Sequence, residues 1–176
     1  MAKELKDCMT SELLFQAGIC TNEAEKATYL SEYERRLKFM GLTDEVIQKF
    51  READQAAINN GCYIKANELL STKPFIEPSM DINSIKMENC TFSELIYLTD
   101  DANSAYFRDH HWLPEKAWAL VCEHALYARQ CKAAFEARNR MEAIGVTREQ
   151  ESLFTKHECL IAQRLRWHYT TELAWY

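Results

Sequence analysis

Residues 36–50 read RLKFMGLTDEVIQKF, and residues 140–154 read RMEAIGVTREQESLF. The centre of each run has the grammar of a helix–turn–helix corner. Gly41 or Gly145 suits the left-handed position that closes a helix. Leu42 or Val146 fills the corner. Thr43 or Thr147 then caps a second helix, with Asp44 and Glu45, or Glu149, complementing its dipole in the first turn. Arg, Gly, Thr, Glu and Phe recur at one offset. A duplicated hairpin is one explanation. Convergent turn chemistry is the simpler one, because caps alone demand Gly and Thr. Both predict two αα-hairpins, 22–59 and 114–174, and short connections make their helices antiparallel neighbours in a bundle.

Working outward, Thr21 is placed to cap a helix that runs to Met40, with Tyr29, Leu30, Tyr33, Leu37 and Met40 on one side. The helix after Thr43 carries Val46, Ile47, Phe50, Ala53, Ala57 and Ile58 on one face, and Asn59-Asn60-Gly61 stops it. Thr91-Phe92-Ser93-Glu94 is a capping box that opens a helix with Phe92, Leu95, Ile96, Leu98, Ala102 and Tyr106 inward. Pro114 suits the first position of a helix reaching Ile144, and Thr147 with Gln150 opens the last helix. Residues 62–112 read as an irregular insert between the hairpins. The expectation is one all-α domain, 1–176, a bundle of five or six helices.

The chain has 176 residues, 47% hydrophobic and 27% charged, with only four Gly and three Pro. That composition excludes a disordered chain and disfavours turn-rich all-β folds. The net charge of −6 and the lack of a basic run argue against nucleic acid, whose phosphates demand clustered cations. No apolar signal segment opens the sequence and no stretch is long enough to span a membrane, so a cytoplasmic location is expected. The seven cysteines are scattered, without a C-x-x-C pair, and read as small buried hydrophobes in a reducing compartment.

Projected as helices, several polar residues fall among apolar ones. His124 sits in the stripe of Leu120, Val121, Tyr127, Ala128, Cys131 and Phe135. His157, Arg164 and His168 share an arc with Leu153, Phe154, Leu160, Ile161 and Leu165, while Glu151, Lys156 and Glu158 fall on the opposite face. Asp54 lies among Ile47, Phe50, Ala57 and Ile58. Buried charge requires partners, and an Arg164–Asp54 pair within a satisfied internal network is the plain expectation. A second reading is a cleft in which His157, Arg164 and His168 hold an anionic ligand, and a third is a metal site from His124, His157, His168 and Asp54. The His-Glu-x-x-His and Glu-x-x-His signatures are absent, so neither a metal nor a cofactor is expected. Asp109-His110-His111 reads as the charged end of a helix.

No nucleophile elbow, P-loop or dinucleotide turn occurs. The expected role is therefore an intracellular protein-binding module, of inhibitor or neutralising type, using an acidic helical surface. Asp100, Asp101 and Glu151, together with the aromatic end Tyr169, Trp175 and Tyr176, are the candidate interaction residues. The partner would be another protein, or a second copy in a homodimer. The competing expectation is a ligand-binding or catalytic bundle built on the inward His/Arg cluster.

Overall fold

The computed structural model describes residues 4–61, 86–99 and 125–173, with side chains described for 132–164 in the last of these stretches. The chain is an all-α bundle. Its described helices are α1 (Thr10–Ile19), α2 (Glu23–Phe39), α3 (Asp44–Asn59), α4 (Phe92–Thr99), α5 (Ala125–Ala143) and α6 (Arg148–Leu173). Short 3-10 turns at Leu5–Asp7 and Met87–Asn89 precede α1 and α4.

Local chemistry explains most boundaries. Thr43 Oγ1 accepts from the Val46 amide at 3.3 Å. Thr147 and Gln150 exchange bonds reciprocally at 3.2 and 3.0 Å, as a capping box requires. Thr91 and Glu94 do the same at 3.2 Å each. Gly41 and Gly145 have φ of +88° and +96°, a left-handed conformation that a side chain disfavours. The cap of α2 is Asn22 rather than Thr21: its Oδ1 accepts from the Ala24 and Glu25 amides at 2.9 and 3.2 Å. The rival caps adjoin in sequence, and only the backbone angle selects one.

One element departs from expectation: residues 10–19 form a helix that the sequence reading leaves unassigned. Its first five residues are buried whether polar or apolar, so it carries no clear polar-outside stripe for periodicity to detect. Within the 62–112 insert, α4 opens at the expected capping box, with Phe92, Leu95, Ile96 and Leu98 buried as expected.

The order of elements reveals the architecture. A 3-10 turn, a short buried helix, a long helix, a glycine corner and a second long helix occur twice. Closest packing is the same in each half: α1 lies on α2, and α4 on α5. Corresponding positions are buried in both, among them Cys8 and Cys90, Leu13 and Leu95, Leu37 and Met141, and Phe50 and Phe154. The correspondence thus extends far beyond the turn residues. The chain contains two copies of one helical unit, which corrects the simpler explanation of convergent turn chemistry. The halves meet through aromatic rings. Phe50 packs on Phe154 with centroids 5.3 Å apart and on Phe92 at 4.3 Å.

A Cβ added at Gly41 would meet only Gln150 Nε2, at 3.7 Å, so the cost of Gly41→Ala is confined to the backbone. That substitution is expected to destabilise the chain by about 1–2 kcal/mol. Gly18→Ala, in a helix with nothing within 4 Å of the new methyl, is expected to stabilise it by about 0.5 kcal/mol. Denaturant melts of the two variants, read by circular dichroism, check the contrast.

Candidate functional site

The amino ends of α1 and α4 point at each other in the middle of the protein. A helix start leaves amide donors without intrahelical acceptors, and here water is excluded: Thr10, Ser11, Glu12, Thr91, Ser93 and Glu94 are all buried. The two ends satisfy one another. The Ser11 amide donates to Ser93 Oγ at 2.8 Å, and the Ser93 amide donates to Ser11 Oγ at 3.1 Å. The bonds exchange as a two-fold axis would exchange them.

Two carboxylates complete the junction, each from the opposite half. Asp54, on α3, accepts from the Phe92 amide at the start of α4 at 2.9 Å. Glu158, on α6, accepts from the Thr10 amide at the start of α1, with both oxygens at 3.1–3.2 Å, and also from the Thr10 hydroxyl. Each is a buried anion at a helix amino end, the placement favoured by the dipole. Glu12 and Glu94 occupy a third matched pair, accepting from the Met9 and Thr91 amides at 3.1 and 3.2 Å. Arg36 and Arg140 are a fourth. Their guanidinium groups donate to the Cys8 and Cys90 carbonyls at 2.7 and 2.6 Å. Arg36 also reaches the Leu5 carbonyl and Glu32, and Arg140 stacks over the Phe92 ring.

Asp54 has two further donors, the hydroxyls of Ser11 and Tyr33, each at 2.9 Å. Burial nonetheless dominates and pushes its carboxyl up to about 6; the Phe92, Ser11 and Tyr33 bonds and the Arg140 charge offset part of the rise. Burial, reinforced by Asp54, pushes the Tyr33 phenol well above its ordinary value, which keeps it a donor.

The structure distributes the expected cluster differently. Asp54 is fully buried. Arg164 is exposed on the outer face of α6 and donates to the Lys6 carbonyl at 2.7 Å, not to Asp54. His157 is 38% exposed, with Nδ1 3.3 Å from Glu158 Oε1. Leu153, Leu160 and Phe135, expected inward, are exposed, and Glu158, expected outward, is fully buried. The inner faces of these helices are Phe154, Glu158, Ile161 and Ala162 on α6, and Ala133, Ala137 and Met141 on α5. Apolar residues on two sides of α6, Leu153 and Leu160 on one and Phe154 and Ile161 on the other, left its rotation ambiguous, and the Thr10 amide, needing an acceptor, turns Glu158 in. Glu151 is 19% exposed, 3.9 Å from Arg138. His168 and Tyr169 lie in α6 beyond the described side chains, and Asp100, Asp101, His124, Trp175 and Tyr176 lie outside the described residues.

Ser11 and Glu12 escaped the sequence reading, and Ser93 and Glu94 entered it only as part of a capping box, although a signal for the junction existed. Cys8-Met-Thr-Ser11-Glu12-Leu13 and Cys90-Thr-Phe-Ser93-Glu94-Leu95 match at four of six positions and lie 82 residues apart.

The junction has the residue types of a catalytic site, but its polar groups bond helix ends. Among the described residues, no group of three or more His, Cys, Asp or Glu is placed to hold a metal ion. A shallow surface depression of about 370 Å³ lies beside α2, lined by Leu5, Ala27, Thr28, Ser31, Glu32 and Arg35. Its guanidinium is engaged by Glu32 through two bonds of 2.7 Å. The bond from Arg35, aided by Arg36, holds the Glu32 carboxyl down at about 2 despite partial burial. No family model, curated protein or solved structure matches the chain.

Asp54→Ala and Glu158→Ala each strand buried amides and are expected to cost roughly 3 kcal/mol or more. Exposed Glu52→Ala should stay within about 0.5 kcal/mol. The folded chain favours protonated Asp54, so the contribution from its raised value is fully present below about pH 4 and is lost as pH rises through about 6. Asp54→Asn keeps an acceptor for the Phe92 amide without the charge. Its stability relative to wild type should therefore rise by about 2–3 kcal/mol between pH 4 and 7. Urea melts across that range measure the difference.

Proposed function

We propose that the chain is a protein-binding module of inhibitor or neutralising type, acting in the cytoplasm on a basic partner. The observation that carries this reading is Phe39. It ends α2 with 83% of its surface exposed. The adjoining corner presents Asp44 and Glu45, both exposed, in the first turn of α3. Those acids complement a helix dipole and so have a structural reason to be there. Phe39 has no such reason, since burying it would gain roughly 2 kcal/mol. An exposed aromatic near a corner whose next helix opens with two exposed acids, and flanked on its own helix by exposed Arg35 and Lys38, suits the apolar centre and charged rim of a protein interface. The net charge of −6 sets the sign of the partner and would speed encounter with it.

The competing role, a ligand-binding or catalytic bundle, draws less support. Among the described residues Arg164 bonds to the Lys6 carbonyl and His157 to Glu158, and the carboxylates Asp54 and Glu158 accept from amides at helix ends. Among the described residues no helix is long and apolar enough to cross a membrane.

The test is affinity capture from cells that make the protein, followed by titration of whatever is retained. Wild type should hold a basic protein whose affinity weakens with salt. Phe39→Asp should lower that affinity at least about tenfold, and Asp44→Lys with Glu45→Lys should slow association. All variants should melt like wild type. A small molecule seen on the chain by native mass spectrometry, with no retained protein sensitive to Phe39, would overturn the assignment.

A further inference from the structure

The duplication supplies an internal control for the surface. The first sixteen positions of α6 have counterparts on α3 in the same fold, so a side chain that the fold itself needs should recur there. Along the outer face of α6 stand Glu149, Leu153, Leu160 and Arg164, all exposed, the leucines at 47% and 62%. Their counterparts are Glu45, Lys49 and Ala56 on α3 and Asn60 at its C-cap, also exposed. There Lys49 simply pairs with Glu45 at 3.5 Å. The fold therefore tolerates polar or small residues at these positions, and the leucines belong to the second half alone.

The four α6 residues fall within an arc of about 60° on a helix of about 3.6 residues per turn. Their order is also self-complementary. Glu149 stands four residues before Leu153, and Arg164 four after Leu160. Reversing the helix leaves the spacing unchanged and exchanges the end charges. We propose that this face binds the same face of a second copy of the chain, with the two α6 helices antiparallel. Leu153 then lies against Leu160 of the other copy, and Glu149 against Arg164. Such a contact is isologous: one patch serves both sides and the assembly closes at two. Two leucines per helix and two ion pairs in all, with an exposed Lys156 of each copy beside the two-fold axis, make a small interface, so the dimer is weak and dissociates on dilution. Arg164 uses one donor on the Lys6 carbonyl and has others to offer. The proposal uses α6 side chains and not Phe39, so it stands independently of the binding function.

Sedimentation velocity of the full chain across a concentration series tests it. Wild type should shift reversibly from one chain mass toward two. Leu153→Glu with Leu160→Glu should remain monomeric while melting like wild type. Glu149→Arg and Arg164→Glu should each weaken the dimer about tenfold, and the two combined should restore it, which loss of the Lys6 bond alone would not allow. A wild-type chain that stays monomeric throughout overturns the proposal. In that case, a lower melting temperature in the double leucine variant means the chain covers the face itself, and an unchanged one leaves the face to a different protein. A dimer indifferent to the leucines, or sensitive to them without charge-swap rescue, overturns the antiparallel pairing.

Discussion

Two helices begin nose to nose in the middle of this protein, and everything around them follows from what their first amides need. A helix start buried from water has donors that its own backbone cannot satisfy. Ser11 and Ser93 satisfy one amide each by exchange across the junction. Asp54 and Glu158 reach in from the opposite halves to satisfy the next. Each half therefore holds a carboxylate that the other half requires. Neither set of caps is complete without its counterpart, and the two halves are joined by polar bonds as well as by the Phe50–Phe154 contact.

That arrangement explains why a protein with an apolar core buries Glu12, Asp54, Glu94 and Glu158. A buried carboxylate is expensive as an isolated charge and acceptable as the acceptor of backbone amides at a helix amino end. The bonds also fix direction. An apolar contact tolerates sliding by a fraction of a turn, whereas a serine exchanged with a serine admits one register. The halves share one plan, yet they have diverged outside the junction. α3 presents Lys49 and Ala56 where α6 presents Leu153 and Leu160. The inside is held by complementarity between the halves, and the outside is released to differ.

Much of the fold was legible in residue order because its signals are local. Thr43, Gly41, Gly145, and the Thr91–Glu94 and Thr147–Gln150 boxes are decided within four residues of chain, and each stands where the sequence places it. The inward face of α3, with Asp54 on it, was legible because its apolar residues form a single stripe. The short helix α1 was not, since its first five residues are buried whether polar or apolar and give it no period. The twofold plan was written in two places, around Cys8 and Cys90 and around Gly41 and Gly145. Different spacings separate the two pairs, and that difference hid the larger match.

The sequence by itself determined an all-helical chain, its glycine corners, most of its caps and the inward position of Asp54, because each of these depends on neighbours a turn or less away. Only the tertiary structure decided the rotation of α6, the partners of Asp54, and the fate of Arg164 and Glu158. Leu153 and Leu160 lie on one side of α6 and Phe154 and Ile161 on another, so burial energy alone barely distinguishes its faces. The choice falls to an amide 148 residues away in the chain, at Thr10, which needs an acceptor and finds Glu158.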